Sequence, residues 1–316
     1  MTAVPGIDEV RAAAARIRGF VRRTPLLAAA PVREQTDVAH GLLLKLESLQ
    51  VTGSFKARGA INAVFALLPA NLRRGVVTAS GGNHGLAVAY AGWAAGVPAT
   101  IFLPRSVAPD KLAKFAIWGA QVEVSGEVWD DSNRAALRHA ETQRLAYIHP
   151  FADPAVIAGQ GTIALEILEE EPDLDTLIVA IGGGGLISGI ALAARALRPS
   201  IRVIGVEPVG APTLHDSLAA GRLVELHRLN TAAVTLAPRR SEPVNLAIIR
   251  QTAERVVLVE DRDMREAARW LWRESGVAAE LSGAAAVAAL LAGHYRPAAG
   301  ERVCAIVCGA GTDGID

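Results

Sequence analysis

The sequence predicts an α/β protein with mainly parallel sheets. Short apolar runs rich in β-branched residues alternate with amphipathic runs along nearly the whole chain, and glycine-rich turns join the two kinds of run. Strands that alternate with helices imply parallel sheets covered by helices on both faces. No internal repeat or low-complexity tract interrupts the alternation.

Each strand is predicted from its own apolar run. The runs span residues 41–46, 75–78, 99–103, 121–124, 176–181, 202–206, 255–258 and 303–308. Between them, apolar residues recur at helical spacing, as at Ile61, Val64, Phe65 and Leu68. We further expect helices over residues 86–95 and from about Leu186.

Composition limits the possible partners. Lys+Arg and Asp+Glu balance at 32 each, which argues against nucleic acid or an anionic membrane as the main partner. The first residues lack the apolar core of a secretory signal, and the longest apolar stretch, residues 284–292, is too short to span a bilayer. Cys304 and Cys308 are too far apart along an extended segment to form a disulfide. We therefore expect a cytoplasmic protein with free thiols.

Four consecutive glycines, Gly182, Gly183, Gly184 and Gly185, follow an apolar strand and precede a helix. Such a loop lets backbone N–H groups point at an anion at the positive end of the helix, which predicts a phosphate site. A tight structural turn would need fewer glycines. A dinucleotide site is the rival interpretation, because Gly183, Gly185 and Gly189 form a loose glycine fingerprint and Glu207 ends the next strand.

Lys56 follows a Gly/Ser turn at a predicted helix start. We expect Ser54 to cap the helix and Lys56 to lie in its first turn. A cation there opposes the helix dipole, which would lower the pKa of the amine and favour Schiff-base chemistry. Taken alone, a lysine in a helix is nearly always solvated.

A second small-residue turn also joins a strand to a helix, and its residues are Ser80, Gly81, Gly82, Asn83, His84 and Gly85. Exposed N–H groups there could hold a carboxylate, and Asn83 could bond a phenolic oxygen. For His84 alone, capping or packing is the favoured interpretation. His and Cys residues do not cluster at zinc-ligand spacing.

Together these segments resemble the serine/threonine dehydratase family of fold-type-II pyridoxal-phosphate (PLP) enzymes, which includes serine racemase. The resemblance rests on LESLQVTGSFKARGA (46–60), SGGNHG (80–85), GGGGLISG (182–189), GVEP (205–208) and CGAGTD (308–313). It covers nearly the whole chain in the family's order. It implies two open, twisted, mainly parallel sheets flanked by helices. The large domain would comprise residues 1–52 and 146–316, the small domain residues 53–145, and the protein would be a homodimer.

The resemblance also implies residue roles. Lys56 would form the Schiff base and move the Cα proton, with Phe55 beside the cofactor ring. Asn83 would bond the ring hydroxyl, Cys308 would face the ring nitrogen, and Glu280 would lie near the cofactor. The phosphate would be held by Gly182, Gly183, Gly184, Gly185 and Leu186. The amino-acid substrate would contact Ser54, Ser80, Gly81, Gly82, Asn83 and His84.

Three positions depart from the family pattern. Gly81 stands where serine racemases carry a second catalytic serine. The metal ligands of some relatives correspond to Glu207, Ala211 and Thr213, so an acidic ligand is missing, and we predict no metal, with Glu207 and Ala211 as weak candidates. Gly311 replaces the usual asparagine of the closing turn.

The implied activity is PLP-dependent dehydration of a 3-hydroxy amino acid, such as L-serine or L-threonine, to a 2-oxo acid and ammonia. The substrate could instead be 3-hydroxyaspartate or a phenylserine-like compound. Three rival interpretations are a PLP β-replacement enzyme, a non-catalytic PLP-binding protein and a nicotinamide oxidoreductase.

Overall fold

A computed structural model describes residues 3–34, 41–105, 107 and 109–315. The strands in these residues form two sheets. Their bounds are β1 Leu26–Ala28, β2 Leu42–Lys45, β3 Val76–Ala79, β4 Ala99–Leu103, β5 Gln121–Val124, β6 Ala146–Tyr147, β7 Thr176–Ala180, β8 Arg202–Pro208, β9 Arg255–Val259 and β10 Val303–Ile306.

The larger sheet has the strand order β1-β2-β10-β7-β8-β9. All neighbours in it pair in parallel except β1 and β2, which are antiparallel. Its central strand β7 is buried at every residue, as expected for an apolar run covered on both faces. The smaller sheet, β5-β4-β3-β6, is wholly parallel.

Helices cover both sheets. Their bounds are α1 Ile7–Ile17, α2 Lys56–Phe65, α3 Pro69–Leu72, α4 Asn83–Ala95, α5 Pro109–Ala116, α6 Trp129–Gln143, α7 Pro154–Glu170, α8 Gly185–Leu197, α9 Thr213–Ala220, α10 Pro243–Thr252, α11 Asp261–Ser275 and α12 Leu281–Leu291. Helix α2 packs against α4 beside the smaller sheet and against α7 beside the larger one. Within the described ranges, no helix is long and apolar enough to cross a membrane.

The predicted fold class is confirmed: this is an α/β protein with two mainly parallel sheets. Each predicted run overlaps a strand, whereas β1 and β6 were not predicted because each has only two or three residues. Strand β6 belongs to the smaller sheet although it begins after residue 145. The division into domains at residues 53 and 145 stays a prediction.

Candidate active site

Three segments that are distant in sequence meet at Lys56. The backbone of Ser54 pairs with that of Gly309, and the next residue of that turn, Ala310, pairs with Ala279. The N–H of Phe55 donates to the carbonyl of Cys308 at 3.2 Å. These backbone bonds bring Lys56, Cys308 and Glu280, which follows Ala279, into one site.

The chain turns sharply just before Lys56. Thr52 and Gly53 have φ values of 65° and 79°, in the left-handed region that a threonine rarely adopts. The predicted N-cap at Ser54 is wrong: Phe55 occupies the N-cap position, and no side chain caps the helix. Ser54 is extended, as an N-cap residue usually is, and its backbone pairs with that of Gly309. Its buried hydroxyl has no partner among the described residues.

The Lys56 amine points into this site. Its Nζ donates to the carbonyl of Pro150 at 2.7 Å and lies 5.1 Å from the centre of the Phe55 ring. Burial lowers the pKa of Lys56 to about 8, although the nearby Cys308 and Glu280 act in the opposite direction. The direction is the one predicted from the sequence, but its main cause is desolvation and not the helix dipole. A substantial fraction of the amine is therefore neutral near physiological pH.

Asn83 joins the site from the smaller sheet. Its Nδ2 donates to Oε1 of Glu280 at 2.8 Å. Helix α4 begins at Asn83 itself, three residues earlier than predicted, after Gly82 at the N-cap. The early start places the N–H groups of Asn83, His84 and Gly85 in the first turn, where none donates to another described residue.

Two neutral histidines lie beside this site. Nε2 of His84 donates to the carbonyl of Ile148 at 3.1 Å, and burial lowers its pKa to about 3. Its buried Nδ1 has no partner in the described chain. Nδ1 of His149 accepts the N–H groups of Phe151 and Ala152 at 3.2 and 2.9 Å, and burial lowers its pKa to about 4.

Sequence reasoning did not identify residues 148–152 as part of the site. This segment follows β6 and carries the two carbonyls that bind His84 and Lys56. The available signal was a His-Pro-Phe sequence directly after a short strand and before the proline that begins α7. Its contribution is largely through backbone atoms, which leave no side-chain pattern.

The glycine loop leaves its backbone donors free. No N–H of residues 182–186 donates to another described residue, and α8 begins at Gly185. Gly184 has φ +95°, and a Cβ on Gly183 would lie 2.3 Å from the Phe151 ring. Glycine is therefore required both for the turn and for the close approach of Phe151. These N–H groups are available to an anion, and phosphate binding by them stays a prediction.

Cys308 is a neutral thiol. Its Sγ lies 3.4 Å from the carbonyl of Ser282, to which it donates, and it is buried. Burial and the neighbouring Glu280 both raise its pKa. The Ser282 hydroxyl in turn shares a hydrogen bond with the Thr235 hydroxyl. The carbonyl oxygen of Thr235 lies beside the glycine loop, 2.9 Å from the position that a Cβ on Gly182 would take.

The loop of residues 80–82 connects β3 to α4. The Ser80 hydroxyl accepts the N–H of Gly82 at 3.3 Å. Gly81 and Gly82, which have no side chains, lie between the end of β3 and the start of α4. The free N–H groups of the first turn of α4 follow this loop and are available to donate to an anion; binding of a carboxylate here stays a prediction.

Glu207 does not serve a dinucleotide in this structure. It is fully buried, and its Oε1 and Oε2 accept the N–H groups of Leu214 and His215, each at 2.8 Å, at the start of α9. A ribose-binding acid needs free oxygens, so the dinucleotide interpretation fails here. Among the described residues, no cluster of His, Cys, Asp or Glu could hold a metal ion.

Comparison with known proteins agrees with this site. The profile of the pyridoxal-phosphate dependent enzymes matches residues 17–309. The chain is 37% identical over 307 residues to L-threonine ammonia-lyase of Thermotoga maritima, covering 97% of this chain and 76% of the relative. It is 34% identical over 316 residues to phenylserine dehydratase of Ralstonia pickettii, covering 99% and 95%.

Among solved structures, maize serine racemase superposes with a TM-score of 0.91 at 36% identity, covering 98% of this chain and 94% of that one. The chain therefore belongs to the pyridoxal-phosphate dependent enzymes, with the fold-type-II architecture. Its cofactor is PLP.

The residues present fit PLP. The free N–H groups of residues 182–186 suit a phosphate dianion, and Lys56 has an amine of lowered pKa. The buried hydroxyl of Ser54 and Nδ1 of His84 lack partners in the described chain, as polar atoms at a ligand site often do. Burying a polar group without a hydrogen-bond partner in a nonpolar core is costly, so these unpartnered groups indicate a ligand site.

Proposed function

We propose that this enzyme is an ammonia-lyase that converts a 3-hydroxy amino acid to a 2-oxo acid, ammonia and no other product. The observation that carries the proposal is the buried Lys56 amine, partly neutral at physiological pH, in a structure that also has two helix starts with free N–H groups. The names of the relatives, L-threonine ammonia-lyase and phenylserine dehydratase, support this reaction class.

The cofactor would be held by groups from both sheets. Residues 182–186 would bind its phosphate, Asn83 the ring hydroxyl, Cys308 the ring nitrogen, and Lys56 its carbonyl carbon. When bound, PLP supplies an electron sink for the bond that breaks at Cα. Phe55 and Glu280 would flank the ring. Because Cys308 is a neutral thiol, it offers the ring nitrogen little charge stabilisation.

The substrate would be oriented by its carboxylate. The N–H groups of Asn83, His84 and Gly85 and the Ser80 hydroxyl would bind it, with Gly81 and Gly82 leaving room beside it. Lys56 would take the Cα proton, since a neutral amine is the form that can accept one. The 3-hydroxyl takes up a proton, which balances the one that Lys56 removed, and leaves as water. Hydrolysis of the released enamine gives the 2-oxo acid and ammonia.

A panel of 3-hydroxy amino acids tests the proposal. Serine, threonine, 3-hydroxyaspartate and phenylserine, in all configurations, would be incubated with the enzyme, and ammonia and 2-oxo acid would be measured together. We expect equal amounts of both from at least one L-substrate. Lys56→Ala should lose this turnover and should no longer be linked to the cofactor by borohydride.

Two results would contradict the proposal. Consumption of substrate that requires an added thiol, without 2-oxo acid, would indicate β-replacement. Full elimination by Lys56→Ala would show that Lys56 is not the residue that takes the Cα proton.

Homodimer formation and a cytoplasmic location also stay predictions, and sedimentation of the purified protein would test the first.

A further inference from the structure

Thr235 lies between the glycine loop and the loop of residues 80–82. Its carbonyl oxygen is 2.9 Å from the position that a Cβ on Gly182 would take, and its Cγ2 is 3.9 Å from the position that a Cβ on Gly82 would take. The first of these loops follows β7 of the larger sheet, and the second follows β3 of the smaller sheet. Thr235 therefore adjoins both halves of the site, although it belongs to neither loop.

A hydrogen bond orients the Thr235 side chain. Its Oγ1 shares this bond with the hydroxyl of Ser282, which is buried in the first turn of α12. Because both heavy atoms of a threonine side chain are attached to Cβ, a bond that fixes Oγ1 also fixes Cγ2. The methyl group is thereby held towards Gly82. Thr235 is nevertheless exposed, whereas Ala233 and Leu236 on either side of it are buried.

The side chains that approach Gly81 and Gly82 from other parts of the chain present carbon atoms to them. Apart from its chain neighbours, a Cβ on Gly82 would have only Cγ2 of Thr235, among described atoms, within 4 Å. For a Cβ on Gly81, the three nearest such atoms are methyl carbons of Val107 and Leu103, at 2.6 to 3.7 Å. These three side chains offer hydrocarbon contacts and no ionic partner.

The proposed binding of PLP would bring the substrate close to Thr235. On the PLP ring, the carbon that would carry the substrate lies between the carbon with the phosphate arm and the carbon with the hydroxyl. Gly182 and its neighbours would bind the phosphate, and Asn83, directly after Gly82, would bond the hydroxyl. The substrate carboxylate would be bound by the Ser80 hydroxyl and the N–H groups of α4. The 3-substituent is then the part of the substrate left to face the Thr235 methyl group.

We propose that Thr235 is a specificity-determining residue, whose methyl group contacts the 3-substituent of the substrate and selects hydrocarbon substituents. The proposal rests on the proposed function and narrows its substrate class to compounds such as threonine and phenylserine. Contact between hydrocarbon groups removes apolar surface from water, which is favourable. The second carboxylate of 3-hydroxyaspartate would lose water without gaining a partner from Thr235, Val107 or Leu103.

Two variants separate the methyl group of Thr235 from its hydroxyl. Thr235→Ser removes the methyl and keeps a hydroxyl for Ser282, whereas Thr235→Val has methyl groups at both γ positions. Calorimetric titration of the PLP-loaded enzyme with 3-phenylpropionate and with succinate measures binding without turnover, because neither compound has an amino group. We expect wild type to bind 3-phenylpropionate more tightly than succinate. Thr235→Ser should weaken its binding about fourfold, the contribution of one buried methyl group, and Thr235→Val should not.

Turnover gives a second measure of the same contact. In Thr235→Ser, kcat/KM for phenylserine relative to serine should fall about fourfold, mainly through KM, because the contact is made equally in the ground and transition states. The matched control is Thr142→Ser, on the exposed face of α6, where the Thr142 hydroxyl donates to the carbonyl of Arg138. It removes the same methyl group away from the site and should change neither binding nor kcat/KM.

Each contrary result has its own meaning. If wild type binds 3-phenylpropionate no more tightly than succinate, the selection of hydrocarbon substituents is overturned. If Thr235→Ser binds 3-phenylpropionate as wild type does, or no more weakly than Thr235→Val or Thr142→Ser, the Thr235 methyl group is not the selecting contact. If wild type releases no ammonia from any 3-hydroxy amino acid while the titrations give the expected order, the proposed function fails and the contact at Thr235 stands.

Discussion

Lys56 is held in a position that destabilises the folded chain when its amine is charged. Burial lowers its pKa from 10.5 to about 8, so between these two values the unfolded chain binds a proton that the folded chain does not. The free energy of unfolding therefore rises with pH through this window. Below about pH 8 the charged amine is buried at full cost. Function, not stability, accounts for a lysine here.

Replacing Lys56 by methionine should stabilise the PLP-free protein at about pH 7, by roughly 3 kcal/mol from the size of the pKa shift. The gain should vanish above pH 10.5, where the amine is neutral in both states. Urea unfolding of both proteins across this range measures it. Lys45→Met is the control: Lys45 bonds Glu166 and the carbonyl of Thr24, so its loss should destabilise. A less stable Lys56→Met protein at neutral pH would contradict the burial cost.

The charge of the side chain at position 308 should influence the reaction. Its neutral thiol lies near both Lys56 and Glu280 and donates to the Ser282 carbonyl. Cys308→Ser keeps a neutral donor and should retain elimination. Cys308→Asp adds a buried carboxylate that favours the charged form of Lys56, so the pH of half-maximal rate should rise and the rate at neutral pH should fall. An unchanged pH profile for Cys308→Asp would show that the two residues do not interact.

The residues proposed to bind the cofactor were predictable from the sequence, whereas the backbone groups that hold them in place were not. Lys56, Asn83 and the glycine loop follow directly from short segments with distinctive residues. Pro150 and Ser282 contribute carbonyl oxygens, which every residue has, so no residue type marks them. The expected cap at Ser54 is absent because its buried hydroxyl accepts no backbone N–H of the helix.

At the scale of elements, helix N-termini supply much of the site. The first turns of α4 and α8 present free N–H groups, and the third such turn, in α9, is already occupied by Glu207. The two N–H groups bind Glu207 without a metal ion, although burial raises the pKa of its carboxyl group to about 8. Strand-to-helix turns of this kind are predictable from glycine position, but the partner of each turn depends on tertiary packing.

We therefore expect divalent metal to be dispensable. Glu207 uses both oxygens on Leu214 and His215, and Thr213 donates its hydroxyl to the carbonyl of Pro238. Prolonged dialysis of the loaded enzyme against a chelator should leave its elimination rate and thermal midpoint unchanged. A loss of activity restored by Mg²⁺ or Ca²⁺ would show that the cap opens to bind a cation.

At the scale of the whole molecule, a buried ionic cluster joins the helix of Lys56 to the larger sheet. Arg58, two residues after Lys56, donates to both oxygens of Glu47 at 2.8 Å and to those of Glu166 at 2.6 and 2.8 Å. Lys45 also bonds Glu166, at 2.7 Å. The cluster has two positive and two negative groups, so its charge is balanced. It links α2, the end of β2 and α7.

The sequence indicated the elements that this cluster joins but not the cluster. Alternating apolar runs predict strands and helices, because burial of one face follows from local spacing. Lys45 and Glu47 lie in or next to an apolar strand, and Arg58 lies in a helix, where charged residues are usually solvated. Only the packing of α7 against α2 brings Glu166 to them. Long-range pairing of this kind leaves no periodic signal.

Removing one charge from the cluster should destabilise the whole chain. Glu47→Gln leaves the fully buried guanidinium of Arg58 with one fewer anion, and breaking such a pair typically costs about 3–5 kcal/mol. Because Arg58 is in the first turn of α2, cofactor affinity should fall as well. The matched control is Glu169→Gln, whose exposed pair with Arg23 should be worth less than about 1 kcal/mol. Urea unfolding of the two variants compares them, and equal midpoints would mean that the buried cluster adds no stability over a surface pair.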